Sequence, residues 1–361
     1  RGAYRELSGF SRPESNSGLA IAGLMVYTNI GPASPPALRR FVMRNKLLKI
    51  GMVAAMVAMA LPVSTSQAAT VSSVAPYVDM GAWPTPVLSE MASKGGVKSF
   101  TLGFVTSYGC KASWFGAYDP RTGWQKEEIQ KLRAAGGDVK ISFGGASGIE
   151  LAYYCTTPTT LANEYDAVVK AYSLKYVDFD IEGAAVADPT TVQRRSQALK
   201  ILQDRNPGLK ISLTLPVLPN GLTADGVNVV QSAKNAGVNL DLVNIMAMDY
   251  YQGPGDQGAK AIAAAKATQA QVKSVYGLSD SAAWKKIGVT PMLGVNDSQN
   301  EIFYQKDARA LVSFASSVHL GMLSFWEQGR DANACNGALY RCTNISQQPY
   351  EFARIFSAYN G

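Results

Sequence analysis

From about residue 75 onward, short runs rich in β-branched and aromatic residues alternate with longer stretches of mixed polarity. This is the pattern of strand–helix units feeding a parallel sheet. Eight such runs can be counted: Ala75 to Met80, Val97 to Val105, Val139 to Gly144, Tyr176 to Glu182, Leu209 to Leu215, Leu242 to Met248, Ile287 to Leu293 and Met322 to Trp326. Between them, Glu127 to Ala135, Thr190 to Asp204, Gly226 to Ala236 and Ala259 to Tyr276 read as helices. Eight strands with intervening helices predict an α/β fold of the (β/α)8 TIM-barrel type, one domain over residues 70–361. An open doubly wound sheet is the rival. It lacks support, because no G-x-G-x-x-G follows the first strand and no G-x-x-x-x-G-K-[ST] occurs anywhere.

Upstream of the barrel the pattern changes. Met43, Arg44, Lys46 and Lys49 form a positive stretch, Ile50 to Leu61 an apolar one, and Ser66-Gln67-Ala68 a small-x-small cleavage signal. Residues 43–69 therefore read as a secretory signal peptide, too short in its apolar part for a comfortable membrane span. Residues 1–42 show no sustained periodicity and are expected to be a disordered upstream segment. After cleavage the chain is expected to be a secreted monomer with no membrane partner and no module beyond the barrel.

Charge narrows the function classes. The formal net charge is +7, but residues 1–69 hold eight Lys/Arg against two Glu, which leaves 26 basic and 25 acidic residues in the remainder. A balance of +1 offers no electrostatic footprint for nucleic acid. The four cysteines, Cys110, Cys155, Cys335 and Cys342, suit an oxidising compartment, and the pairing expected is Cys110 with Cys155 and Cys335 with Cys342. No pair has C-x-x-C spacing, and His319 is the one histidine, so a histidine-based metal site or triad is excluded.

The fourth run reads Tyr176-Val177-Asp178-Phe179-Asp180-Ile181-Glu182. Side chains alternate faces along a strand, so Asp178, Asp180 and Glu182 share one face and Val177, Phe179 and Ile181 the other. The apolar set belongs against the helices, which sends three carboxylates toward the barrel axis. Mutual repulsion there is expected to push their pKa values apart and leave the outermost, Glu182, protonated as a general acid.

At these residues the chain resembles glycoside hydrolase family 18, the chitinase family, whose fourth strand carries D-x-x-D-x-D-x-E. Lys175 stands at the first position, with the opposite parity to the acids. Ser142-Phe143-Gly144-Gly145 resembles the family's S-x-G-G, and Met246-Ala247-Met248-Asp249-Tyr250 its M-x-Y-D, with Met248 in place of the tyrosine and Tyr250 expected to supply the phenol. Trp326, ending the eighth run, corresponds to the tryptophan that floors the sugar subsite. Pro291 to Asp297 is most similar to a bacterial and archaeal branch.

The resemblance implies hydrolysis of chitin or N-acetylglucosamine oligosaccharides with the substrate's own acetamido group as nucleophile and no metal or organic cofactor. Glu182 would donate and then recover the proton. Asp180, tuned by Asp178, would hold the acetamido N–H, Asp249 and Tyr250 would orient that group, and Trp326 would stack beneath the ring. A sugar-binding barrel without catalysis and an endo-β-N-acetylglucosaminidase are the competing readings. Trp83, Trp114 and Trp124 are further candidates for sugar contact, although scattered aromatics more often pack.

Overall fold

The computed structural model describes residues 71–361. Both the expected signal peptide and residues 1–42 lie outside the described residues. Eight parallel strands run in chain order through one nine-stranded sheet: β1 Tyr77–Asp79, β2 Ser99–Ser107, β3 Asp138–Gly144, β4 Tyr176–Asp180, β5 Lys210–Pro216, β6 Leu242–Met246, β7 Ile287–Thr290 and β8 Met322–Leu323, with Ala112–Trp114 paired antiparallel to β2 beside them. The sheet closes on itself. Leu323 N donates to Ser73 O at 2.8 Å, and Ala75 N and Tyr77 N donate to Leu323 O and Phe325 O at 3.0 and 3.1 Å. The eight-run reading and the barrel it implies are both found, with the last two strands shorter than their apolar runs because the chain bends into rim loops.

A helix follows each strand: Leu88–Gly95, Lys126–Ala134, Pro158–Tyr172, Pro189–Arg205, Ala224–Asn235, Gln257–Tyr276, Gln305–Val318 and Glu351–Phe356. Several start at side-chain caps written in the sequence. Asp188 accepts from the amides of Thr190 and Thr191, Thr223 from Gly226 and Asp256 from Ala259, each satisfying a backbone donor that the first turn leaves free. Pro158 and Pro189, which lack that donor, stand at the first helical position. Among the described residues no helix is long and apolar enough to cross a membrane.

The outer core lies between sheet and helices. Phe179 on β4 stacks on Phe143 of β3 at 5.1 Å and meets Tyr165 of the intervening helix Pro158–Tyr172 at 4.8 Å. Inside the barrel the layers change character along the axis. Ala75, Tyr176, Leu242 and Met322 pack together at the N-terminal end. Above them Ser142, Asp178 and Ser212 lie at one register level on β3, β4 and β5, and Gly144, Asp180 and Thr214 at the next. The barrel is therefore apolar at its closed end and increasingly polar toward its mouth.

Candidate active site

The two acids of β4 and Glu182, two residues beyond its end, all face inward, but they sit in different surroundings. Asp178 is fully buried. Its Oδ2 lies 2.7 Å from both Tyr77 Oη and Ser142 Oγ, and Thr214 Oγ1 and Ser212 Oγ approach Oδ1, the former at 2.9 Å. These hydroxyls replace the water the carboxylate loses. Asp180, 5% exposed, has no partner for its Oδ1 among the described residues. Burial first, then the charges of Glu182 and Asp178, push its pKa well above the usual carboxylate range.

Glu182 is half-buried and lines a cleft of about 600 Å³ at the C-terminal mouth of the barrel. Its pKa is raised to about 7, by burial first and then by the charges of Asp249 and Asp297. Repulsion within the row is present, since Glu182 and Asp180 act on one another, but loss of solvent comes first and two further acids, Asp249 and Asp297, act on Glu182 from the loops after β6 and β7. Strand parity could not show these two, because it says nothing about what the loops bring across the barrel.

Small residues at the end of β3 let the chain pass close to β4. A Cβ on Gly144 would fall 2.1 Å from the Asp180 carbonyl oxygen, and one on Gly145 would come within 2.7 Å of the Phe104 ring; both have positive φ, 103° and 86°. Room for the Asp180 backbone and for Phe104, rather than for substrate directly, accounts for the glycine pair. Phe104, Tyr77 and Trp326 form an aromatic wall. Phe104 stacks on Trp326 at 5.6 Å, and Tyr77 lies 5.8 Å from Trp326. All three line the cleft, so Trp326 offers it a half-exposed ring with packing behind.

On the opposite side, Met246, Met248 and Asp249 line the cleft, and Tyr250 does not. Tyr250 is 3% exposed, its hydroxyl has no hydrogen-bond partner among the described residues, and its ring lies under Lys260 at 5.9 Å. Tyr251, 79% exposed, reaches the cleft instead. Tyr250 is thus turned away from the cleft that it was expected to serve. β6 ends at Met246, and the left-handed backbone at Asp249 and Tyr251, φ 47° and 56°, breaks the alternation on which the expectation rested.

This turn is held by residues that the sequence reading missed. Fully buried Glu301 accepts from Tyr250 N at 2.7 Å and Gln252 N at 2.9 Å. Asp249 Oδ1 accepts from Ser298 N at 2.7 Å, which places Asp297 beside the same cleft. Asp79 of β1 also lines it, and its neighbour Glu327, buried and with its pKa raised by burial to about 7, caps the helix Gln328–Asn333. A lone Asp or Glu in a loop carries no periodic signal. The N-D-S context does not mark Asp297 as a cleft-lining acid, and E-I-F does not mark Glu301 as a buried one.

Both expected disulfides are present, Cys110–Cys155 and Cys335–Cys342. The second closes a short loop whose Leu339 and Tyr340 form part of the cleft wall. Of the other tryptophans, Trp114 is fully buried and donates to Tyr172 Oη at 2.8 Å, Trp124 stacks on Tyr118, and Trp83 is 85% exposed. Among the described residues no group of three or more His, Cys, Asp or Glu side chains is arranged to hold a metal ion.

A row of inward acids ending at an open, aromatic-walled cleft on a (β/α)8 barrel is the arrangement of a glycoside hydrolase. No protein-family model matches the chain. The chain is 34% identical to the catalytic domain of the hyperthermophilic chitinase of Pyrococcus furiosus, with a TM-score of 0.75, covering 81% of this chain and 96% of that one. Catalytic-site mutants of that chitinase have been solved with chito-oligosaccharides. Two curated relatives are the probable bifunctional chitinase/lysozyme of Escherichia coli K12, 37% identical over 79% of this chain, and endochitinase 11 of Metarhizium anisopliae, 38% identical over 74%. The chain spans only 34% and 54% of those two proteins. It belongs to the chitinases of glycoside hydrolase family 18.

Proposed function

We propose that this chain hydrolyses β-1,4 bonds in N-acetylglucosamine oligosaccharides with retention of configuration, using Glu182 as general acid and then base. The observation that carries this reading is the state of Glu182. It is a carboxyl group at a strand end, lining a cleft large enough for sugar, with a pKa of about 7, so that it holds a proton near neutrality yet can give it up.

In the first step Glu182 donates its proton to the glycosidic oxygen while the carbonyl oxygen of the substrate's acetamido group attacks the anomeric carbon, and the bond to the leaving sugar breaks. The unpartnered Oδ1 of Asp180 is free to accept the acetamido N–H as the oxazolinium forms. Asp249, across the cleft, orients the same group, and Trp326 lies under the ring. In the second step the Glu182 carboxylate takes a proton from water, whose oxygen opens the oxazolinium at the anomeric carbon. The two disulfides fit a protein exported after removal of a leader, acting as a single chain on sugar rather than on nucleic acid.

The test is Glu182→Gln assayed on chito-oligosaccharides and, in parallel, on cello-oligosaccharides. Loss of turnover by at least about 1,000-fold with oligosaccharide affinity retained, and no cleavage of the cello-series by the parent protein, is the expected result. Parent-like turnover in the variant removes Glu182 from the role, and cleavage of glucose polymers removes the acetamido group from it.

A further inference from the structure

Asn244 is the polar side chain of β6, and this mechanism leaves it unused. Leu242, Asn244 and Met246 share the inward face of the strand. Met246 lines the cleft, whereas Asn244 lies beneath it with an exposure of 0%. An amide taken out of water at such a place is costly unless both its oxygen and its nitrogen find partners. They find two hydroxyls that do line the cleft: Thr290 Oγ1 of β7 donates to Asn244 Oδ1 at 3.0 Å, and Asn244 Nδ2 donates to Thr214 Oγ1 of β5 at 3.0 Å. The facing strand is shaped around the same amide. A Cβ on Gly288, the register partner of Asn244 on β7, would fall 2.7 Å from Asn244 Oδ1 and 3.1 Å from its Cβ. Glycine weakens a strand interior, and an apolar pair at 244 and 288 would fill the layer without that penalty. The two hydrogen bonds are what such a pair would lack.

The chain of hydrogen bonds continues to the acid row. Thr214 Oγ1 lies 2.9 and 3.0 Å from Oδ1 and Oδ2 of Asp178 and 2.9 Å from Tyr77 Oη, which is itself 2.7 Å from Asp178 Oδ2. Thr214 and Tyr77 carry one hydroxyl proton each. Within this triangle either hydroxyl can give its proton to the other, and Asp178 then loses a donor. An amide N–H only donates, so Asn244 makes Thr214 Oγ1 an acceptor on the β6 side and sends its proton the other way, to the carboxyl group. Thr214 then needs nothing from Tyr77, whose proton goes to the nearer acceptor, Asp178 Oδ2. Thr290 fixes the amide in this sense, because its hydroxyl on Oδ1 leaves Nδ2 facing Thr214.

We infer that Asn244 is a positioning residue: the N–H it gives to Thr214 turns the Thr214 and Tyr77 hydroxyl protons onto Asp178 and so fixes the carboxyl group at the foot of the acid row. This rests on the hydrolase reading above. The bridge from Thr290 through Asn244 and Thr214 to Asp178 crosses β7, β6, β5 and β4 in order. It ties the side of the barrel whose loops carry Asp249 and Asp297 to the strand that carries Asp180. Because Asn244 is not part of the cleft lining, it acts on the reaction through Thr214 and not by contact with sugar. Its loss frees two hydroxyls to pair with each other, and the carboxyl group below Asp180 is then held by fewer donors.

The test is Asn244→Leu, which branches at the same atom and has no donor, assayed on chito-oligosaccharides beside Thr214→Val and the double variant. The single Asn244 change is expected to lower kcat by about 10-fold, the worth of one directed hydrogen bond, and to leave KM within about twofold because no sugar contact is lost. In the Thr214→Val background the same change should cost less than about twofold, since the hydroxyl through which Asn244 acts is already gone. A merely structural amide gives the opposite pattern, a lower urea midpoint with kcat kept. Parent-like kcat in Asn244→Leu, or an equal loss in both backgrounds, overturns the proposal. Asn244→Ala, which adds no bulk beside Gly288, is carried through the same cycle and judged by the same two outcomes, so that a leucine too large for the layer does not decide the matter. Absence of hydrolysis by the parent protein overturns the hydrolase reading instead.

Discussion

Tyr77 Oη lies 2.7 Å from Asp178 Oδ2, which ties the first strand of the barrel to the fourth across its interior. Two acids and full burial push the tyrosine's pKa well above its ordinary value, so the phenol stays a donor at any pH the enzyme meets. Tyr77→Phe removes that donor and keeps the ring against Trp326 and Phe104. A hydrogen bond to a charged group contributes about 1.5–3 kcal/mol, so kcat/KM is expected to fall by about 10- to 100-fold. Circular dichroism should show an unchanged fold. A variant with parent-like kinetics would separate the phenol from the function of the acid row.

Glu182 is expected to destabilise the fold where it is ionised. Its folded-state pKa of about 7 lies above the ordinary value of 4.5, so the folded chain binds a proton that the unfolded chain releases. The stabilisation is complete below the ordinary value and is lost as pH rises through about 7. Glu182→Gln carries no charge to desolvate. At about pH 8 the variant should unfold at higher denaturant than the parent, by about 1–3 kcal/mol, the discount reflecting the group's partial exposure. Near about pH 5 the gap should close. Equal stabilities at both values would show that the site does not strain its acid.

Gly144→Ala should be far more damaging than an ordinary glycine substitution. The new methyl would lie 2.1 Å from the Asp180 carbonyl oxygen at a φ of 103°, so either β3 or β4 must shift at the level of the catalytic row. A loss of more than about 3 kcal/mol in chemical denaturation, or no soluble protein, is expected. Gly183→Ala separates the two contributions, since its φ of 57° brings the backbone strain while nothing lies within 4 Å of its added methyl.

The loop between Cys335 and Cys342 should act on binding more than on chemistry. It carries Leu339 and Tyr340 into the cleft wall, and Asn344 staples it by receiving from Gly337 N at 2.7 Å and donating to Gly337 O at 3.0 Å. Replacing both cysteines with serine should cost about 2 kcal/mol of stability, the loop-entropy value for so short a ring. KM for oligosaccharides should rise several-fold with kcat near that of the parent. A fall in kcat at constant KM would contradict this role.

Much of the molecule was legible before any coordinates. The eight apolar runs specify eight strands, because a strand buried on both sides in a barrel must be apolar wherever it meets the helices. The same alternation sends Asp178, Asp180 and Glu182 inward without further information. The S-F-G-G ends the third strand as read, but Ser142 meets Asp178 and the glycines make room for Asp180 and Phe104, while Trp326 lines the cleft.

Tertiary structure alone decided the rest, and the reason is the same in each case. Parity holds only while the backbone stays extended, so beyond Met246, where left-handed residues turn the chain, it placed Tyr250 in the cleft and the fold placed Tyr251 there. Sequence neighbours suggested that repulsion along the row in a water-poor site keeps Glu182 protonated. In the folded chain burial comes first, and to the repulsion between Asp180 and Glu182 the loops add Asp249 and Asp297, far away in sequence. Periodicity determines which way a side chain points; the closure of the barrel determines what it meets and how much water remains there, and the chemistry of the acids follows from the second.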